Sequence, residues 1–220
     1  PSRIIVVMSS LADGADRLVA EEALKLGMPL SVVLPMPRVL YEEDFTPESL
    51  EQFAELCGKA AEIFELPLLP GATPRSIAES GPNRTRQYAQ LGVFLSAHCH
   101  VLLALWDGKA SDLLGGTAAT IQFHHHDVMP GYTPRVTSSK LNLTEDESDL
   151  VYHIVCSRDR PDGEPAPGLK PLETSWFTTD EENPRTAEIS ARHRKVFEYT
   201  NEFSREAQNN AASIDKDRYS

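Results

Sequence analysis

The 220-residue sequence has only three cysteines, Cys57, Cys99 and Cys156, and no C-x-x-C pair. Widely spaced thiols in odd number argue against a disulfide framework and fit reduced side chains in a cytosolic protein. There is no run of about 18 apolar residues, so nothing reads as a membrane span. No signal-peptide pattern accompanies the first apolar run at Ile4, and the expected location is cytoplasmic. A G-x-S-x-G elbow, a Walker loop and zinc-type ligand spacings are all missing, which leaves the common hydrolase, NTPase and zinc-enzyme readings without support. Internal repeats are absent too. Positive charge is scarce: 21 Lys and Arg stand against 33 Asp and Glu, a formal −12. That field repels polyanions over about 8 Å and argues against general nucleic-acid binding. A small anion remains acceptable, because a few N–H groups and one Arg reverse the field locally.

What is present is ordinary globular material, 40% apolar and 25% charged, enough for one core with an appended tail. Ile4 to Met8 is a continuous, largely β-branched run, as in a parallel strand buried on both faces, and Leu30 to Leu34 reads as a second buried strand. Between them Ala15, Leu18, Val19, Ala23 and Leu26 recur at helical spacing, and Gly27 supplies a stop. Thr46-Pro47-Glu48 opens a second helix that carries Leu50, Phe53, Ala54, Cys57 and Ala61 on one face. Pro67 to Pro82 reads as a loop, and 85–97 as a helix. Val101 to Trp106 is a third strand, 117–124 a helix, and Val151 to Val155 a fourth strand. Strands separated by helices predict an α/β fold, a Rossmann-like three-layer sandwich with a mostly parallel sheet. That domain is expected over 1–157. From 158 to 184 proline, glycine and acids give an irregular arm. A C-terminal helix over 187–207 then carries Ile189, Val196, Phe197, Thr200, Phe203 and Ala207 on one stripe.

In such a sheet, ligands sit beyond the carboxyl ends of strands, where unpaired N–H groups at helix starts attract phosphate. Two turns have this form. The first runs Ser9-Ser10-Leu11-Ala12-Asp13-Gly14-Ala15-Asp16-Arg17, with small residues and two hydroxyls. Arg17 opposes the dipole of its own helix by about 0.3–1 kcal/mol, so either Asp13 or Asp16 offsets it or it points at an anion. The second is Gly115-Gly116-Thr117, after the strand that ends in Trp106-Asp107-Gly108; it reads as an oxyanion rest or as a tight turn with a capping Thr. Asp107 would accept from a ribose hydroxyl or close a simple Asp-Gly turn. Arg38 and Tyr41, beyond the second strand, would meet a base or phosphate, with Asp44 and Phe45 following them.

These residues resemble the SLOG superfamily, which includes the DNA-processing protein DprA, the LOG cytokinin-activating phosphoribohydrolases and nucleotide-sensor domains. Ser9 to Arg17, the strand Leu30–Leu34 and Tyr41 look like the DprA-type stretch. Leu105-Trp106-Asp107-Gly108 followed by Gly115-Gly116-Thr117 looks like the second loop of the sensor type. The resemblance spans roughly 4–126. It implies a nucleotide or nucleotide-derived ligand such as NAD or ADP-ribose and regulation of an attached effector; a homo-oligomer is a further expected partner, and no cofactor or metal is expected. It also implies one more strand and a glycine-bearing turn upstream of Pro1. LOG-type hydrolases carry a Glu three residues beyond the Gly-Thr of the second loop, where this sequence has Thr120. That departure favours a sensor; the alternative is a LOG-like phosphoribohydrolase that releases a base from a nucleoside monophosphate.

His124-His125-His126-Asp127 does not make a metal site by spacing, since consecutive helical residues diverge by about 100°. His98 and His100 flank Cys99 without a further ligand.

Overall fold

Residues Leu30–Leu34 form β2, whose five side chains are all buried, and the rest of the first half is arranged around it. The computed structural model describes residues 5–133 and 150–191, together with 193–195, 197–199, 202, 205 and 206. β1 (Val7–Ser9) and β3 (Glu62–Glu65) pair with β2 on either edge, both parallel to it. Alternation along β2 sends Leu30, Val32 and Leu34 to one face and Val33 to the other. The first face is covered by α1 (Ala15–Lys25) and α3 (Pro47–Lys59), through Ala20, Phe53, Leu56 and Cys57. On the second face, Val33 meets Leu91 of α5 (Pro82–His98). The expected layered α/β architecture is therefore what the chain adopts.

The second sheet runs β4 (Leu102–Trp106), β5 (Val151–Val155), β6 (Thr174–Phe177) and β7 (Arg185–Thr186). β4 and β5 are parallel, whereas β6 and β7 are added antiparallel. These last strands come from the segment expected to be an irregular arm. α6 (Thr117–His126) covers β4 and also packs on α5. The α5–α6 contact is close, for a Cβ added at Gly92 would stand 2.6 Å from Thr120 Oγ1.

Other differences are local. The helix expected to carry Ala61 ends at Lys59, Ala60 takes an extended conformation, and β3, which the sequence pattern does not predict, follows at Glu62. β3 is a short, exposed edge strand with Glu at both ends, so neither alternation nor burial announces it. The loop from 67 to 82 holds α4 (Pro74–Ala78), closed by a reciprocal capping box between Thr73 and Ser76. α5 starts at Pro82, three residues before the expected Thr85, with proline in the first turn. Between β2 and α3 lie α2 (Arg38–Tyr41) and a short 3-10 turn at Glu42–Asp44. The described residues from 191 onward are helical. Ile4 and, on the expected C-terminal stripe, Val196, Thr200, Phe203 and Ala207 lie outside the described residues. No described helix is long and apolar enough to cross a membrane.

Candidate functional site

The chain leaves β1 in a turn whose polar groups are tied to the start of α1. Ser10 Oγ donates to Asp16 Oδ2 at 2.7 Å, and the Leu11 N–H donates to Ser9 Oγ at 3.1 Å. Leu11 is fully buried at φ 57, a left-handed conformation that is unfavourable for leucine. Gly14 then caps α1 at φ 92, where a side chain would be strained.

Arg17 fastens this turn to α3. Its Nε donates to the Leu11 carbonyl at 2.9 Å and its Nη1 to the Ser49 carbonyl at 2.7 Å. Asp13 pairs with the same Nη1 at 2.8 Å, and the guanidinium lies 4.6 Å from the Phe45 ring centre. Arg17 is 2% exposed, so Asp13 offsets the unfavourable dipole, and the side chain serves its own backbone.

Beyond the carboxyl ends of β1 and β2 lies a cavity of about 350 Å³. Ala12 and Asp13 of the first turn form one wall; Tyr41, Asp44 and Phe45, which follow β2, form a second. The third is the start of α5, with Ser80, Gly81, Arg84, Thr85 and Tyr88. Gly81 caps this 17-residue helix and offers no side-chain acceptor to its first turn, which leaves the dipole's positive end uncompensated by a cap.

Two groups give the cavity its polarity. Tyr41 is 1% exposed, and its hydroxyl has no hydrogen-bond partner among the described residues; burial pushes its pKa above the ordinary phenol value against the opposing effect of the nearby Ser10 side chain, so it stays protonated. Arg84 Nη2 pairs with Asp44 Oδ1 at 2.8 Å, while Asp44 Oδ2 accepts from the Tyr88 hydroxyl. Burial, then the neighbouring Asp44 carboxylate, also pushes the Tyr88 phenol up. The guanidinium is anchored independently, by donating to the Ile77 carbonyl at 2.5 Å and the Leu40 carbonyl at 2.9 Å. Deeper in α5, fully buried Gln87 donates to the carbonyls of Pro35 and Pro67 at 2.8 Å each. It thereby pins the exits of β2 and β3 beside the cavity.

Of the residues anticipated from sequence, Tyr41 lines this cavity, and Ser9, Ser10, Gly14, Asp16 and Arg17 build the turn that does so through Ala12 and Asp13. Arg38 does not reach it: its Nε donates to Glu42 Oε1 at 2.6 Å, one helical turn on. Gly115, at φ 78, abuts α5, where an added Cβ would fall 2.7 Å from the Ala89 nitrogen. Gly116 caps α6, its carbonyl accepting from Thr120 Oγ1 at 3.1 Å, and Thr117 is exposed in the first turn. The second turn thus meets the wall of the cavity at Tyr88 and Ala89 without lining the space. Asp107 is buried under the arm; it accepts from Arg158 Nε at 2.6 Å and from the Lys109 N–H at 3.0 Å. Arg84 falls outside the helix that the sequence pattern starts at 85, for which Gly81-Pro82 is the earlier signal, whereas Tyr88 lies within that helix with nothing in the sequence to mark it as a cavity residue.

His124 is buried with Nε2 3.3 Å from the Leu150 carbonyl, and no group of three metal-ligating side chains occurs among the described residues. No protein-family model, curated protein or solved structure matches the chain. The class defined by the fold is an α/β protein of Rossmann-like type with a cavity at its strand ends.

Proposed function

We propose that the protein binds a nucleotide or nucleotide-derived small molecule in the cavity between the first turn, Tyr41 and the start of α5. The observation that carries the reading is Tyr41, which lines a cavity that also receives an uncapped helix N-terminus and whose buried hydroxyl has no hydrogen-bond partner among the described residues. A buried polar group left unpaired is unfavourable by about 1–3 kcal/mol, and a ligand acceptor removes that loss. Location beyond the carboxyl ends of parallel strands supports the same reading. Asp13 accepts sugar hydroxyls in this arrangement, and the Phe45 and Tyr88 rings supply faces for a base. The volume lies near the lower end of the roughly 300–1,000 Å³ usual for ligand pockets. It suits a mononucleotide or one end of an NAD or ADP-ribose molecule. The resemblance to SLOG sensors extends the proposal to a cytoplasmic, ligand-reporting role that regulates an attached effector.

Thermal unfolding with AMP, ADP-ribose, NAD and cyclic nucleotides tests the proposal. At least one ligand raises the midpoint, with about 2.7 kcal/mol of stabilisation at a hundredfold excess over Kd. Absence of any shift across the panel, or a shift unchanged by Tyr41→Phe, would refute the site. Release of free base from AMP would mark the protein instead as an N-glycosidic hydrolase.

A further inference from the structure

Resting on that reading, we propose that the ligand's anionic group is a phosphate monoester and that Asp44 is its built-in competitor, holding the phosphate position until the ligand displaces it. The two partners of the Arg84–Asp44 ion pair are held unequally. Arg84 is fixed: it is 5% exposed, and two backbone carbonyls, of Ile77 and Leu40, hold its guanidinium whatever Asp44 does. Asp44 belongs to a 3-10 turn of only three residues, and its side chain is 33% exposed. Its carboxylate can swing to water at little desolvation cost, while the guanidinium cannot follow it.

Asp44 also occupies the groups that an incoming anion needs. Its two oxygens take Arg84 Nη2 and the Tyr88 hydroxyl, yet the buried hydroxyl of Tyr41, which lines the same cavity, has no hydrogen-bond partner among the described residues. A carboxylate has two oxygens and a single charge. A phosphate monoester offers three acceptor oxygens and a charge of about −1.5 to −2 at neutral pH. It can satisfy Arg84 and Tyr88, add the Tyr41 hydroxyl, and face the uncapped start of α5. The gain in donors and in charge favours exchange. Expulsion of Asp44 frees a turn that also carries Glu42 and Glu43, so binding leaves an outward mark on the surface.

Isothermal titration with AMP, adenosine and inorganic phosphate, on wild type, Asp44→Asn and Tyr41→Phe, tests the proposal, with circular dichroism confirming the fold of each variant. Asp44→Asn should bind AMP about tenfold more tightly than wild type, since the amide competes without charge. Tyr41→Phe should bind it more weakly. Inorganic phosphate should compete with AMP, and adenosine should bind less tightly than AMP. If wild type binds AMP but Asp44→Asn binds it equally or less well, the competitor role is overturned while the ligand site stands. If adenosine matches AMP, the phosphate assignment falls. If wild type binds no nucleotide or phosphate, the functional reading itself fails and this one with it.

Discussion

At the scale of single residues, Arg17 shows how one side chain can be legible in type while its partners are not. A cation in the first turn of its own helix calls for Asp13 or Asp16 to offset it or for an anion to face, and the structure supplies Asp13 and two backbone carbonyls. Arg17→Ala would leave the Leu11 and Ser49 carbonyls without their donor and the Asp13 charge without its partner. Loss of about 3 kcal/mol of stability is expected from breaking such a buried, hydrogen-bonded cation out of its setting. Urea denaturation of the variant measures it, and a loss under 1 kcal/mol would show that the turn holds without Arg17. Tyr41 is the reverse case. Sequence placed it beyond the second strand as a ligand contact, and it lines the cavity, but its missing hydrogen-bond partner has no sequence signature. An absent partner is a property of three-dimensional neighbours.

Among elements, β2 and β5 were legible to the residue because their side chains are decided by burial on a sheet. β3, α4 and the first turn of α5 were not. β3 gains its strand conformation from pairing with β2 alone, and its exposed side chains carry no apolar alternation. β6 pairs antiparallel with β5 within a stretch whose proline and acid content reads as irregular. The Gly115-Gly116-Thr117 turn was recognised as needing glycine, but the reason lies in packing. Gly115 lets the loop touch the α5 backbone at Tyr88 and Ala89, and it sits at φ 78. Gly115→Ala therefore combines a strained conformation with a backbone collision. It should lower stability by about 2 kcal/mol or more, read as a fall in the thermal midpoint. An unchanged midpoint would mean that the loop can retreat from α5 freely.

For the molecule as a whole, pH dependence follows from a histidine at the centre of the second sheet. His153 on β5 is fully buried, and its Nδ1 faces Arg185 Nη1 at 2.5 Å. An arginine can only donate, so Nδ1 accepts and the proton sits on Nε2, which donates to the Trp106 carbonyl at 2.9 Å. Burial pulls the His153 pKa below its ordinary value; Arg185 adds to this, while the Trp106 hydrogen bond, Asp107 and Glu173 oppose it. Above about pH 6.5 both folded and unfolded chains carry the neutral ring, and its contribution is complete. As pH falls below that value, the unfolded chain takes up a proton that the folded one resists, so stability declines. Urea midpoints at pH 7.5 and 5.5 should drop more for wild type than for His153→Gln. Equal drops would remove His153 as the source.

α5 is the member that both halves of the protein share. Its first turn closes the cavity, Leu91 packs under the first sheet, and Gly92 presses on Thr120 of the helix that covers the second. At 17 residues it is a rod about 25 Å long. Arg84 and Gln87 moor its first half to the chain around β2 and β3, and Gly92 moors its middle to α6, so a substitution that loosens either hold reaches both sheets through one spar.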